Sequence, residues 1–253
     1  TDPENGLDTR HPIRYSSSHQ ALHFKFESAH MNFVRQTRNQ ENIMIKLYGN
    51  PYSRANRVRW ALEASGTSYT EETISLGSEG TGSEQFLAIN PNGLVPVIDD
   101  DGLVLFESVP ICLYIAKKYV PTTLYVDSIK DEGLLLQWSV WAMTELEKHN
   151  ETASLHVTWY LAAKRDASIA AREQAEVVRC LTMLEEAIKE SGFLVANRFT
   201  IADLIVSEVL TSLIHAKIDL KPFPVVKRYL KDNLSQPAAK KAFAVDIIQP
   251  YLA

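Results

Sequence analysis

The chain of 253 residues has only two cysteines, Cys112 and Cys180, and no cluster of lysine or arginine. It also lacks any run of about 18 apolar residues, the length of a membrane-spanning helix. Each scarcity excludes something. Two distant cysteines, each inside an apolar helical pattern, make no disulfide framework; they read as buried thiols in a reducing compartment, the cytosol. The missing basic stripe, in a chain of net charge −5, removes the electrostatic footprint of a nucleic-acid or anionic-membrane binder, so neither partner is expected. What is present, 45% hydrophobic residues, suffices to bury one large core or two modest ones in a soluble globular protein.

Residues 1–42 lack hydrophobic periodicity and hold four of the seven histidines, His11, His19, His23 and His30. They are expected to be a disordered extension, a tag or a misassigned start, with Met31 or Met44 as the natural beginning. Two sharper readings compete. A metal site built from the histidines matches no standard zinc spacing, and a transit peptide suggested by Arg10, Arg14, Lys25, Arg35 and Arg38 lacks a clear amphipathic helix. No metal is expected.

From residue 43 the pattern becomes regular. Residues 43–48 form a short apolar run ended by Gly49-Asn50-Pro51, which predicts a buried strand and a turn. A helix follows, with Ser53 placed to cap it and Gly66 to stop it. Residues 68–76 alternate polar and apolar side chains as a second strand beside the first. A flexible loop over the GSEGTGSE stretch and a short helix over 83–89 come next. Residues 94–98 and 102–106 then flank Asp99-Asp100-Asp101-Gly102, a hairpin signal, and a helix over 107–119 follows. Beyond residue 127 strand signals vanish. Amphipathic stretches over 131–149, 152–164, 167–191, 201–216 and 223–233 predict helices only. The expected organisation is a βαβαββα domain over 43–119, a linker over 120–126 and an all-helical domain over 127–253.

Several residues in this frame can carry chemistry. Pro96 opens a predicted strand, where it would donate no ladder hydrogen bond; either an edge position or a cis bond after Val95 accommodates it. A cis bond would turn the Val95 backbone outward to pair with a peptide ligand. Glu107-Ser108 begins a helix, so the Ser108 hydroxyl and the first-turn amides suit a carboxylate and the Glu107 carboxylate suits an ammonium, together an α-amino acid head group. For the pair taken alone, an ordinary cap, with Ser108 satisfying helix N–H groups and Glu107 solvated, is the better reading. Ser53, at the start of the first helix, is either another cap or the donor that holds a ligand thiolate, a role open also to Tyr52 and, more weakly, Asn50.

The series LYGNPYSRANRVRWALEASG, NPNGLVPVIDDDGLVLFES and NRFTIADL resembles the soluble glutathione S-transferase family over residues 43 to about 245, particularly bacterial and fungal members with an S-R-x-x-R-V-x-W-x-L-E first helix. The resemblance implies a thioredoxin-like α/β domain followed by an all-α domain. It implies a cis Val95-Pro96 bond pairing with the cysteinyl backbone of glutathione, Glu107 and Ser108 on its γ-glutamyl group, and Ser53, or Tyr52 by a second alignment, on its thiolate. Leu94 stands where many members carry Gln or Lys for the glycine end. The implied activity is conjugation of glutathione, as co-substrate, to a hydrophobic electrophile in detoxification, by a cytoplasmic homodimer. Reduction or isomerisation of a specific metabolite, or a non-catalytic binding module, are the competing functions. The acceptor pocket is expected between the halves. Tyr52, Trp159 and Tyr160 are favoured there over Trp138, Trp141 and His156. Thr200 and Asp203 match the family's helix-capping motif and are expected to be structural.

Overall fold

The computed structural model describes residues 45–252. The readings made on residues 1–42 lie outside the described residues. Strand β1 (Ile45–Gly49) is central: Ile45 and Leu47 on one face are fully buried, and on the other Tyr48 is buried while Lys46 reaches Glu72 of the next strand. Helix α1 (Ala55–Ser65) follows and stops where Gly66 takes the left-handed φ of 67°. Strand β2 (Tyr69–Thr73) pairs parallel with β1 and forms an exposed edge. After α2 (Glu84–Ile89), β3 (Val97–Asp100) runs antiparallel to β1, and β4 (Leu103–Phe106) runs antiparallel to β3. The sheet order is therefore β2-β1-β3-β4. Asp101 (φ 55°) and Gly102 (φ 84°) make the two-residue hairpin turn, whose paired positive φ values suit the right-handed twist of the strands. Helix α3 (Ser108–Tyr119) completes the βαβαββα unit.

Two local expectations change. The strand predicted over 94–98 begins only at Val97, because Pro96 has no N–H to offer β1 and sits just outside the ladder. The GSEGTGSE stretch is a closed turn and not an open loop. Thr81 N–H donates to Ser75 O (2.9 Å), Gly82 N–H to Gly77 O (2.8 Å), and Thr81 is buried. Gly80 is required there, since a Cβ would lie 1.8 Å from Ser75 O. The Thr81 carbonyl in turn approaches Gly93 and so supports the segment leading to Val95.

The second half is helical, as the pattern predicts. The stretches expected separately over 131–149 and 152–164 are one run instead. It comprises α4 (Ile129–Trp141), a π-helical segment (Ala142–Glu147), α5 (Lys148–Ser154) and a second π segment (Leu155–Trp159). No proline occurs within it, and the single glycine, Gly133, is accommodated inside α4 without breaking the run. Then follow α6 (Ala167–Ala187), α7 (Ile201–Leu210), α8 (Pro224–Leu234), α9 (Pro237–Ala242) and α10 (Val245–Leu252). The last two were not anticipated; each is eight residues or fewer, too short for a periodic signal. Helix α7 ends at Leu210, short of the predicted 216, and is buried throughout. Its capping box is complete: Asp203 accepts from Thr200 N–H (2.8 Å) and the Thr200 hydroxyl (3.0 Å). Both halves share one hydrophobic core, in which Trp60 of α1 packs between Phe199 and Phe243 at centroid distances of 6.0 and 5.6 Å.

Candidate functional site

A cleft of about 60 Å³ is lined by Arg54, Asn90, Leu94, Val95, Pro96, Glu107 and Ser108. It brings together four residues singled out in the sequence, Val95, Pro96, Glu107 and Ser108. The Val95-Pro96 bond is cis. Asn90 organises the approach to it: its Nδ2 donates to Leu94 O at 2.7 Å while its Oδ1 accepts from Asn92 N–H at 3.1 Å. Glu107 lies in the left-handed region, with φ 69°, at the junction of β4 and α3, a conformation costly for a residue with a Cβ. Its carboxylate is exposed, and no hydrogen bond or ion pair holds it among the described residues. Ser108 and Val109 open α3 with free backbone N–H groups, and Pro110, third in the helix, has none. The cleft thus joins an acid, a hydroxyl and a helix N-terminus, a fit for a group bearing both an ammonium and a carboxylate.

Ser53 and Tyr52 do not border this cleft. The Ser53 hydroxyl donates to Asn50 O (2.8 Å) and accepts from Ala55 N–H (3.2 Å), which makes it a turn residue just ahead of α1. The expectation that it caps the helix shifts by one position, because Arg54 is the residue flanking the first helical turn. Tyr52 is 68% exposed. The Asn50 side chain is committed to the loop, with Nδ2 donating to Ile74 O (3.2 Å) and Oδ1 accepting from Tyr52 N–H (3.0 Å).

Sequence reasoning missed the two arginines of the S-R-x-x-R segment. Arg54 at the cleft wall pairs with Glu147 (2.9 Å) and Glu151 (2.8 Å). Arg57, one turn later, is fully buried and donates to Glu208, Glu147, the Met143 sulfur and the Ser108 hydroxyl. Burial opposes its charge, yet Glu208 and then Glu147 hold the guanidinium above its ordinary value. The available signal was the i, i+3 spacing, which puts both charges on one face of a helix that is otherwise packed.

The proposed acceptor residues are not gathered around the cleft. Trp159, 49% exposed, stacks on His215 at 5.3 Å, and Tyr160 meets His156 edge-on at 5.2 Å. Trp138 is buried against Trp141. His149 is bonded to Glu173 (2.6 Å), and His156 Nδ1 accepts from Asp166 N–H (3.0 Å). A larger cavity of about 290 Å³, between the end of α6 and α8, shares no lining residue with the cleft. Both cysteines are buried and unpaired, and burial pushes the Cys112 thiol well up. Among the described residues no group of three or more His, Cys, Asp or Glu side chains is arranged to hold a metal, and no helix is long and apolar enough to cross a membrane.

Family models for the N-terminal and C-terminal domains of glutathione S-transferase match residues 44–117 and 148–237. The chain belongs to the glutathione S-transferase family. A glutathione S-transferase of Arabidopsis thaliana is 30% identical over 63% of this chain and 67% of its own length. The disulfide-bond oxidoreductase YfcG of Escherichia coli is 29% identical over 79% of this chain and 94% of its own. Among solved structures, the theta class glutathione S-transferase of Xanthomonas axonopodis pv. citri, with glutathione bound, superposes with a TM-score of 0.72 at 24% identity, covering 78% of this chain and 96% of that one. The fold is the two-domain fold of the family, a thioredoxin-like domain followed by helices.

Proposed function

We propose that the chain binds glutathione as co-substrate in the cleft, with its cysteinyl backbone along Val95-Pro96 and its γ-glutamyl group on Glu107, Ser108 and the first amides of α3. The observation that carries this reading is the convergence of those residues on one cleft. The bound thiol, held near the N-terminus of α1 and hydrogen-bonded by Ser53, is kept as thiolate by the helix dipole and the hydroxyl. Its sulfur forms a bond to an electrophilic carbon, and the leaving group departs with the electron pair. Serving that role requires the Ser53 hydroxyl to turn from Asn50 O toward the sulfur. Tyr52, Trp159 and Tyr160 are the residues we assign to the hydrophobic acceptor. The exposed apolar side chains of β4 (Leu103, Val104, Phe106) and α4 (Leu136, Val140) support a homodimer, and the two free thiols fit a reducing, cytoplasmic location.

The experiment is retention on immobilised glutathione together with turnover of a generic aryl halide electrophile. Ser53→Ala is expected to lower kcat by about 10²- to 10³-fold, the usual loss on removing one donor to a developing anion, with the KM for glutathione little changed. An unchanged kcat moves the donor role to Tyr52, and binding with no turnover across an electrophile panel makes the chain a non-catalytic module.

The relative named as a disulfide-bond oxidoreductase favours a second reading. Here the same thiolate attacks a small disulfide, displaces one thiolate and is resolved by a second glutathione, giving oxidised glutathione and two thiols. Glutathione would supply both sulfurs, because Cys112 and Cys180 are buried. Reduction of a small disulfide faster than conjugation would select it.

A further inference from the structure

We propose that Arg57, which is fully buried and borders no part of the cleft, is a positioning residue that fixes the Ser108 hydroxyl as a donor pointing into it. The inference rests on the reading that the cleft takes the γ-glutamyl group of glutathione. A guanidinium has donors only, so the 2.9 Å contact from Arg57 Nη1 obliges the Ser108 oxygen to accept. The hydroxyl rotor, otherwise free, then directs its hydrogen away from Arg57. Among the described residues Ser108 makes no other side-chain hydrogen bond, and the residue lines the cleft, so the hydrogen is available to an anionic group there. The adjacent charge also polarises the hydroxyl and makes it a stronger donor to a carboxylate.

The guanidinium itself cannot swing. Its Nε–H and one Nη2–H go to Glu208 Oε2, the other Nη2–H to Glu147 Oε1 at 3.2 Å, and Nη1 reaches the Met143 sulfur at 3.0 Å as well as Ser108. All five N–H groups of the side chain are therefore engaged. Met143 and Glu147 lie in the π-helical segment and Glu208 lies on α7, so the hydroxyl of the binding half is oriented from the helical half. A lysine has three donors on a point charge and cannot serve this set.

The test is a double-mutant cycle on the full chain, reading the KM and calorimetric Kd for glutathione alongside kcat. In wild type, Ser108→Ala is expected to raise KM about tenfold with kcat within about threefold, the size of a charge-assisted hydrogen bond. In an Arg57→Lys background the same change should add less than about twofold. Thr200→Ala, which opens the capping box of α7 and touches neither Arg57 nor the cleft, should lower the thermal midpoint while KM stays within about twofold of wild type. If Arg57→Lys does not fold, the cycle is run in Arg57→Met/Glu208→Met, which removes both buried charges together. Additive effects of the two substitutions, or a KM rise in Thr200→Ala as large as in Arg57→Lys, would overturn the positioning role while leaving the cleft's ligand intact. Failure of wild type to bind glutathione would overturn both.

Discussion

Glu107 is the residue where local chemistry and function conflict most openly. Its left-handed backbone costs about 1–3 kcal/mol for a residue with a Cβ. No contact of its side chain within the described chain offsets that, so the cost is borne by the surrounding turn from β4 into α3. Replacing Glu107 by glycine removes the steric penalty but adds roughly 0.5–1 kcal/mol of backbone entropy loss, leaving a net stabilisation of about 1 kcal/mol. Glu107→Ala keeps the strain and loses only the carboxylate. Denaturant unfolding is therefore expected to rank Glu107→Gly above both Glu107→Ala and wild type, while both variants lose glutathione affinity. A glycine variant no more stable than the alanine one would remove the strain argument.

At the level of elements, the best-determined feature is the start of α7. The Asp203 carboxylate accepts from Thr200 N–H, the Thr200 hydroxyl, Leu194 N–H (2.9 Å) and the Tyr229 phenol (3.1 Å). Burial nevertheless dominates and pushes its pKa from 3.8 up to about 6. A carboxyl whose folded pKa is raised stabilises the fold fully below its unfolded pKa and loses that contribution as pH rises through the folded value. Between pH 4 and 6 this loss should reach roughly 2 kcal/mol in wild type and vanish in Asp203→Asn, which does not titrate. The stability difference between wild type and Asp203→Asn, followed by denaturant midpoints from pH 4 to 7, should therefore shift against wild type as pH rises; a flat difference would refute it. This box was legible in the sequence because Thr-x-x-Asp is a local signal, as was the hairpin, where Asp101-Gly102 supplies two residues tolerant of positive φ. Arg57 was not legible. Its burial depends on Glu208, 151 positions away, and no local pattern encodes a partner at that range. The π segments escaped because each is only about one turn long, too short for the apolar spacing to distinguish it from the α-helix on either side.

For the whole molecule, the single core joining α1 and the sheet to α7 and α9 predicts that the two halves unfold together. Trp60 reports on the packing of α1 against Phe199 and Phe243 of the second half, and Trp138 on the interior of the second half. Variants retaining one or the other should give the same denaturation midpoint, coincident with loss of helical circular dichroism. Two separated midpoints would show that the halves are independent. The position of Pro110 carries a different consequence. A helix start normally presents three N–H groups to an anion, but here a ring methylene stands where the third would be. Two amides and one hydroxyl match the two oxygens of a planar carboxylate, whereas a tetrahedral phosphonate or sulfonate would turn one oxygen toward carbon. Discrimination between such head groups would then come from a single hydrogen atom that the chain omits.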